Sequence, residues 1–184
     1  MKRMRITRHE EFEVAHVLPN YDGGCGNLHG HTYKIEVTVE GPQTGVFDMV
    51  MDFSDLKRAI KAIVPDHRFI CSDYASPDKS DLEHEITKVL DAFNIQYVVY
   101  PFVTTAENMV TYFAEMIEHY IQNETEYKDV EVVECKLWET TNSYAHYIKP
   151  QRIIKSVNLS GEDLAKAVAD SNAKGAVMMS AGGM

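Results

Sequence analysis

The chain has 184 residues, of which 45% are apolar, and a formal net charge of −10, which predicts one folded domain with at most a small appendage. The acidic balance disfavours nucleic-acid binding, because phosphate contacts need clustered Lys and Arg, and no apolar stretch approaches the roughly 18 to 20 residues of a membrane span. Three cysteines are too few for a disulfide framework and the basic N-terminus lacks a signal-peptide apolar segment, so we expect a cytoplasmic small-molecule enzyme.

The first two predicted strands bring three histidines to one face. Residues 3–18 alternate so that His16 falls on the apolar side, and residues 31–40 alternate as a half-buried strand. Because residues i and i+2 of a strand point the same way, His29 and His31 direct both rings to one side. If the two strands pair, all three imidazoles meet on that face. The pattern favours a zinc site with an open fourth position over three unrelated core histidines.

The loop between these strands carries Cys25 between two glycines. A thiol exposed in this way near a zinc-bound polar group can become a thiolate near neutral pH, which makes Cys25 a candidate nucleophile or base. Two alternatives stay open, namely that Cys25 is a fourth ligand of a structural zinc site or an ordinary loop residue. Cys71 and Cys135 are predicted to be ordinary.

A first helix is predicted after the second strand. Ser54 has the position of an N-cap, and Pro65 ends the helix. Its exit carries Asp66 and His67, where loops tend to hold functional residues. If this pair lies close to Cys25, the histidine can move a proton and the aspartate can orient the ring.

A second helix and a short strand are predicted before residue 100. Residues 71–80 have the composition of a surface loop, and Ser80 with Glu83 forms the capping box that starts the helix. The predicted inner face of this helix consists of Leu82, Ile86, Val89, Leu90 and Phe93. Residues 95–100 form the strand.

A third helix, over about residues 105–122, follows Pro101. Thr104 and Glu107 have the spacing of a capping box. Helix capping is therefore our first interpretation of Glu107, ahead of a direct catalytic role.

The strand predicted over residues 130–138 ends in a carboxylate that continues its apolar row. The row consists of Val133, Cys135, Leu137 and Glu139. A carboxylate there is costly unless a cation or a hydrogen-bond donor meets it, so Glu139 either binds a ligand or turns to solvent. As a binding residue it suits an amidine-like edge, which offers two charge-assisted hydrogen bonds. Residues 144–148 return as the hairpin partner.

The composition of the chain changes beyond Pro150. Residues 160–172 can form an amphipathic helix, and residues 175–184 are small, apolar and uncharged. We therefore expect a domain of residues 1–150 and a C-terminal appendage of residues 151–184, helix plus small apolar tail, that docks on a neighbour or stays partly disordered. No chemistry is evident in the appendage.

Six short motifs follow one another along the main domain. They are Phe12-Glu13-Val14-Ala15-His16, Cys25-x3-His29-Gly30-His31-x-Tyr33, Val50-Met51-Asp52-Phe53-x-Asp55-Leu56-Lys57, Asp66-His67, Thr105-Ala106-Glu107-Asn108 and Trp138-Glu139-Thr140. As an ordered set, they resemble the 6-pyruvoyltetrahydropterin synthase / 6-carboxytetrahydropterin synthase family over roughly residues 5–148. The resemblance implies an α+β tunnelling fold, in which an antiparallel four-stranded sheet carries helices on one face and subunits close into a barrel. It also implies a homo-oligomer, a hexamer of two trimers, with active sites between subunits.

The resemblance also implies roles for single residues, motif by motif. The implied zinc ligands are His16, His29 and His31; the implied catalytic residues are Cys25, Asp66 and His67; the implied substrate contacts are Glu139, Thr105 and Glu107. In this scheme Cys25 is the base, Asp66 and His67 are its proton relay, and Glu139 binds the 2-amino and N3 edge of a pterin.

The implied substrate is 7,8-dihydroneopterin triphosphate, with zinc on its side-chain hydroxyls. Three residues separate Cys25 from His29, a spacing that resembles the 6-carboxy branch. That branch is a lyase of queuosine and other 7-deazaguanine pathways and releases acetaldehyde and triphosphate. The alternatives are the 6-pyruvoyl branch, which acts on the same substrate, and a noncatalytic zinc- or pterin-binding module. The chain departs from the compact family pattern in its longer segment 69–100 and in its tail.

Overall fold

Six strands and three helices build the described part of the chain, residues 2–73 and 81–150, in this computed structural model. In chain order they are β1 (Arg3–His16), β2 (His29–Pro42), α1 (Phe53–Ile63), β3 (Arg68–Ser72), α2 (Asp81–Ala92), β4 (Tyr97–Tyr100), α3 (Ala106–Glu124), β5 (Glu131–Thr140) and β6 (Ser143–Ile148). The predicted α+β class is confirmed. No helix in these two stretches is long and apolar enough to cross a membrane. The predicted appendage, residues 151–184, lies outside the described residues.

The strands form one mixed sheet in the order β4-β3-β1-β2-β5-β6. The neighbours β1, β2, β5 and β6 are antiparallel, whereas β3 runs parallel to β1 and β4 runs parallel to β3. The predicted four-stranded antiparallel sheet is therefore incomplete. Strands β1, β2, β5 and β6 form it, but β3 and β4 extend it through parallel pairings to six strands. Strand β3 escaped prediction because Phe69, Ile70 and Cys71 are all buried and give no alternation.

The main core lies between one face of the sheet and helices α1 and α3. Its buried side chains include Tyr33, Ile35, Val37 and Val39 of β2, Leu56 and Ile60 of α1, and Phe113 and Ile117 of α3. Burying one such aliphatic or aromatic side chain stabilises the fold by about 1.5–3 kcal/mol. This core fixes which face of β1 and β2 looks inward, and therefore where the histidines point.

Helix α2 packs on the opposite face of the sheet, which corrects the prediction that all helices share one face. Its Ile86 and Leu90 contact a separate small core formed by Val17, Phe69 and Cys71. Phe69 and Cys71 alternate with Ile70, which belongs to the main core, so the two cores lie on opposite sides of β3.

The predicted inner face of α2 is only partly buried. The side chains of Leu82, Val89 and Phe93 are 43%, 56% and 74% exposed. Ser80, half of the predicted capping box, lies outside the described residues. The Glu83 carboxylate accepts a hydrogen bond from the Ser72 backbone N–H at 3.2 Å, so it ties α2 to β3.

The other two helices begin on different caps from those predicted. Asp52, not Ser54, caps α1, and its carboxylate accepts from the Ser54 N–H at 2.6 Å. Thr105, not Thr104, caps α3, and its hydroxyl accepts from the Asn108 N–H at 3.4 Å. A cap one residue later leaves the Thr104 hydroxyl available for another partner.

Two irregularities in β5 decide which of its side chains face the core. The register with β2 shifts between Thr38 and Val39, so Val132 is buried in place of the predicted Val133. The register with β6 shifts after Trp138, and Glu139 has no paired residue there. Such bulges re-aim single side chains without ending the sheet.

Candidate metal centre

The pairing of β1 with β2 brings the three histidines together. His16 lies opposite His29, and His31 lies opposite Val14, the core-facing residue before His16 on that face. The ring centroids are 4.5 Å apart for His16 and His29, 5.4 Å for His16 and His31, and 4.8 Å for His29 and His31. One nitrogen from each ring lies within 4.8 Å of the other two. The geometry therefore offers a metal ion three nitrogens from two adjacent strands.

Backbone carbonyls fix the orientation of two of the rings. The Nδ1 atom of His16 lies 3.1 Å from the Thr104 carbonyl oxygen and 3.2 Å from the Thr104 hydroxyl. The Nδ1 atom of His29 lies 2.7 Å from the Asn27 carbonyl oxygen. Because a carbonyl oxygen only accepts, each Nδ1 carries a proton, and Nε2 is then the atom through which each ring can bind a metal. Metal-binding histidines are held in this way by their outer partners.

The inward nitrogens of all three rings are buried and lack a hydrogen-bond partner within the described residues. Burial, followed by the neighbouring His29 and His31, lowers the pKa of His16 to about 4, and burial also lowers the pKa of His31. Neutral imidazoles with free lone pairs are the form that binds a metal. Buried polar atoms without a partner are rare and need an explanation, and a bound cation supplies one. The residues present therefore fit zinc.

Glu139 lies beside these nitrogens. Its Oε1 atom is 3.6 Å from His31 Nε2 and 3.9 Å from His16 Nε2. The fully buried Tyr33 hydroxyl donates to the same oxygen at 2.8 Å. Burial, followed by this hydrogen bond to Glu139, raises the pKa of Tyr33, so the phenol stays protonated and remains a donor.

The residues at the start of α3 surround the same end of the sheet. Thr104 is fully buried and contacts His16, as described above. Glu107 is exposed in the first turn of α3, and its charge contributes to the raised pKa of Tyr33. Glu107 does not pair with Thr104 in the predicted capping box, because Thr105 is the cap. Carboxylates are favourable at this end of a helix through the helix dipole.

Cys25 sits on a short 3-10 turn, Gly24–Gly26, in the loop that joins β1 to β2. Its thiol is free and half-buried. The tight turn requires glycine at Gly26, because a Cβ atom there would collide with the Tyr21 carbonyl oxygen. The charge of Cys25 contributes to the raised pKa of Tyr33, and the thiol is not one of the mutually close ligand atoms of the three-histidine cluster.

The other two cysteines differ from Cys25 in burial. Cys71 and Cys135 lie in the two cores, and burial raises their pKa values to about 11 and about 12. Buried thiols of this kind are inert. The structure therefore agrees with the sequence-based view of both as ordinary residues.

Asp66 and His67 form a hydrogen-bonded pair at the exit of α1. The Asp66 carboxylate accepts from the Glu13 backbone N–H at 3.0 Å and lies 2.8 Å from His67 Nδ1. A positive φ of 56° at His67 lets adjacent residues meet in this way. The hydrogen bond from Glu13, followed by that from His67, lowers the pKa of Asp66.

This Asp66–His67 pair lies on the side of β1 away from β2, and the His67 side chain is 76% exposed. His67 lines a shallow depression of about 440 Å³ together with His31 and Arg68. Within the described residues, the pair makes no hydrogen bond or ion pair with Cys25. Asp66 and His67 of the predicted relay therefore contact each other, but within one chain they are not hydrogen-bonded to Cys25.

Sequence reasoning did not assign roles to Tyr33, Thr104 and Asn27 beside the metal centre. Tyr33 continues the row of His29 and His31 at the i+2 spacing, so its direction was readable from the pattern. Thr104 could not be found in that way, because its contact with His16 spans 88 residues.

Comparisons with known proteins agree with these features. The family model of 6-pyruvoyl tetrahydropterin synthase matches residues 5–150. A 6-carboxy-5,6,7,8-tetrahydropterin synthase of Haemophilus influenzae is 34% identical over 149 residues, which cover 78% of this chain and 97% of that protein. A second, from Aquifex aeolicus, is 36% identical over 125 residues, which cover 67% and 75% of the two chains.

Solved structures share the fold at lower identity. The 6-pyruvoyl tetrahydropterin synthase of Plasmodium vivax is 19% identical with a TM-score of 0.60, and covers 82% of this chain and 100% of that one. The Caenorhabditis elegans enzyme is 22% identical with a TM-score of 0.55 and covers 82% and 98%. Given the match of the family model over residues 5–150 and these close relatives, the chain belongs to the 6-pyruvoyl tetrahydropterin synthase family.

Proposed function

We propose that the protein is a zinc-dependent lyase that converts 7,8-dihydroneopterin triphosphate to 6-carboxy-5,6,7,8-tetrahydropterin and releases acetaldehyde and triphosphate. The observation that carries this proposal is the cluster of three buried, partnerless Nε2 atoms of His16, His29 and His31, with Glu139 beside it. Membership of a pterin synthase family gives that cluster a substrate class.

Zinc is the cofactor of this proposal, held by His16, His29 and His31. When bound, zinc supplies Lewis-acid chemistry that polarises and acidifies substrate hydroxyls. Among the residues of the chain, Cys25 takes the proton from the substrate side chain, as its free, half-buried thiol on a tight turn allows. Glu139 accepts two hydrogen bonds from the 2-amino and N3 edge of the pterin.

Two residues of α3 are proposed as further substrate contacts. Glu107 is exposed in the first turn of α3, where its carboxylate can accept a hydrogen bond from the bound ring. Thr105 already accepts from the Asn108 N–H, so its hydroxyl proton remains available as a donor.

Asp66 and His67 are proposed to move the proton onward from Cys25 of a neighbouring subunit. Asp66 stays ionised through its backbone hydrogen bond and orients the His67 ring. The ring is exposed on its own chain and shares no hydrogen bond or ion pair with Cys25 there. A site between subunits brings such a pair and such a thiol together.

That arrangement agrees with an assembly of tunnelling-fold subunits into a barrel, a hexamer of two trimers. The uncovered face of β1, β2, β5 and β6 is polar, and it carries ion pairs such as Arg5–Glu134 and Lys136–Glu36. A polar sheet face suits the inner wall of a water-filled barrel. We assign the product to queuosine and other 7-deazaguanine pathways, in the reducing cytoplasm.

A second candidate is formation of 6-pyruvoyltetrahydropterin from the same substrate. The match to the family model of that name favours it. The curated relatives named above favour the 6-carboxy product, as does the spacing between Cys25 and His29.

Product analysis separates the two candidates. Zinc-loaded full chain is incubated with 7,8-dihydroneopterin triphosphate, and the products are identified by mass spectrometry. We expect 6-carboxytetrahydropterin together with acetaldehyde. A 6-pyruvoyl product would move the protein to the second candidate, and absence of turnover by the zinc-loaded chain would leave a noncatalytic zinc- or pterin-binding module.

A further inference from the structure

We propose that residues 103–108, which lead into α3, hold His16 in the orientation that binds the metal, with Thr104 positioning the ring and Asn108 fixing Thr104. Both residues act through His16 and are not metal ligands themselves. The inference rests on the zinc site of the proposed function but not on its reaction, because metal binding is measured without substrate.

Thr104 contacts the His16 ring through two oxygens. The Nδ1 atom of His16 lies 3.1 Å from the Thr104 carbonyl oxygen and 3.2 Å from the Thr104 hydroxyl oxygen. Among the described residues, these two oxygens are the only hydrogen-bond partners of the ring. Both side chains are buried, at 1% exposure for His16 and 0% for Thr104. Since a buried N–H without an acceptor is costly, the ring keeps the position that these oxygens define.

The same contacts decide which nitrogen of His16 is available to a metal. The proton of a neutral imidazole stays on the nitrogen that has an acceptor, and here that nitrogen is Nδ1. Nε2 is then the ligand atom, on the side of His29 and His31. If Thr104 moves away, Nδ1 loses its acceptor and the proton can pass to Nε2. A protonated nitrogen does not bind a metal, so displacement of Thr104 weakens metal binding.

The Asn108 side chain fixes the turn that contains Thr104. Its Nδ2 atom donates to the Val103 carbonyl oxygen at 2.9 Å. The Thr105 N–H donates to the same carbonyl oxygen at 2.8 Å, and the Thr105 hydroxyl accepts from the Asn108 N–H at 3.4 Å. The residues on both sides of Thr104 are therefore tied to Asn108, which leaves the Thr104 oxygens directed at His16.

Helix capping does not explain the side-chain bond of Asn108. The first turn of a helix has spare N–H donors, which need acceptors, and Thr105 already supplies one as the cap. The Asn108 amide instead donates, to a carbonyl that precedes the helix. Its role therefore lies with the turn before α3. The other polar residues of its sequence motif, Thr105 and Glu107, are the proposed substrate contacts, so one motif serves both the metal and the substrate.

Zinc affinity of the substrate-free full chain, measured by competition with a chromophoric chelator, tests the inference. Thr104→Val removes the hydroxyl and keeps the shape of the side chain. Loss of an outer partner weakens metal binding about 10- to 100-fold, and because the Thr104 carbonyl oxygen stays, we expect about tenfold. Thr104→Ser restores the hydroxyl and is expected to lie within about threefold of the native affinity.

Asn108→Asp replaces the amide donor with an acceptor of the same shape. A carboxylate in the first turn is favourable to the helix dipole, so a weaker helix does not explain a loss of affinity. We expect a loss of about three- to tenfold, since Asn108 acts through Thr104. Because Asn108 is exposed, this variant tests the inference even if the buried Thr104→Val does not fold.

Two control variants make the same chemical changes elsewhere on α3. Thr111→Val removes an exposed hydroxyl that donates to the Glu107 carbonyl oxygen at 3.0 Å. Asn123→Asp removes an exposed amide that donates to the His119 carbonyl oxygen at 2.8 Å. Neither residue contacts His16, so both controls are expected to keep the native zinc affinity.

The absorption spectrum of the cobalt-substituted chain separates positioning from a merely structural role. Its d–d bands depend on the geometry of the ligands, so Thr104→Val and Asn108→Asp are expected to shift them. Thr104→Ser and the two controls are expected to match the native spectrum. Native affinity and native spectra in both Thr104→Val and Asn108→Asp would overturn the inference and leave His16 held by packing alone. That result would not affect the proposed reaction, which the product analysis measures separately.

Discussion

The three-histidine cluster and the Asp66–His67 pair both contain imidazoles at the same end of the sheet, but they are built in opposite ways. In the cluster the inward nitrogens are buried and have no hydrogen-bond partner among the described residues, and His16 is only 1% exposed. The Asp66–His67 pair is exposed and its hydrogen bonds are made within itself and to the Glu13 backbone.

The difference indicates what kind of partner suits each group. Buried nitrogens without partners destabilise a fold, so a bound cation would satisfy the cluster. The Asp66 carboxylate already accepts hydrogen bonds from His67 and from the Glu13 backbone. A further partner for the exposed His67 ring therefore has to come from solvent or from another chain. The cluster is thus arranged to bind a metal ion, whereas the proposed relay of Asp66 and His67 is open to a partner from outside its own chain.

Removal of one cluster ligand should have the largest effect. We expect His31→Ala to lose zinc and turnover together, because two remaining nitrogens no longer define a three-histidine site. Metal content after dialysis and the rate of substrate loss are the measurements. His9→Ala is the control, since His9 is exposed and lies on the other face of β1. Full zinc occupancy in His31→Ala would contradict the assignment of the cluster as the metal site.

Replacement of the thiol should separate metal binding from chemistry. We expect Cys25→Ser to keep its zinc and to lose about 10²- to 10⁴-fold in turnover, the usual contribution of a general base. Cys71→Ala removes a thiol from the small core and should leave the zinc content unchanged. Loss of zinc from Cys25→Ser would instead make Cys25 a ligand and the site structural.

Strand periodicity predicted the cluster well because its members follow a period-two rule. His29 and His31 needed only the i+2 spacing, and His16 needed one assumption, that β1 pairs with β2. The cap of α3 was misplaced by one residue because Thr104 and Thr105 are chemically equal candidates. The choice between them is made by His16, which takes Thr104 as its partner.

Features that depend on distant pairing could not be predicted. Strand β3 exists because Phe69 and Ile70 are buried against opposite cores, which a single sequence does not reveal. The bulge at Glu139 depends on the register with β6, and the sequence gives no glycine or proline to mark it. The contact of Asp66 with His67 depends on a positive φ at a residue that is not glycine.

Acid should destabilise the metal-free protein through the cluster. His16 titrates near pH 6.5 in the unfolded chain, whereas burial and then the neighbouring His29 and His31 lower its pKa to about 4 in the fold. Between these values the unfolded chain binds a proton that the folded chain does not. Protonation of His16 therefore leaves the free energy of unfolding unchanged above about pH 6.5. As the pH falls to about 4, it lowers the free energy of unfolding by about 3 kcal/mol.

Urea unfolding of the metal-free chain across this pH range measures the effect. His16→Gln is the control, because it keeps a polar side chain that does not titrate. The difference between the two stability curves removes the contribution of carboxylates such as Asp66, which also lose stabilisation in acid. Parallel curves from pH 7 to pH 4 would show that burial of His16 carries no such penalty.

Mixing two inactive variants should restore partial activity. If Cys25 of one subunit works with His67 of its neighbour, a random mixture of Cys25→Ala and His67→Ala subunits contains sites with both native residues. One site in four has this composition, so co-expressed variants in equal amounts should regain about one quarter of the native turnover rate. Differently tagged copies, purified through both tags, ensure that only mixed assemblies are measured.

A mixture that stays as inactive as its parents would place Cys25 and His67 of one active site in the same chain. The exposed His67 ring would then have to reach the thiol through a change in the loop that joins β1 to β2, since the two share no hydrogen bond or ion pair in the present arrangement. The zinc content of the mixture guards against a trivial failure, because neither substitution touches His16, His29 or His31. Restored activity would mean that the buried cluster and the exposed pair belong to one catalytic site only after subunits assemble.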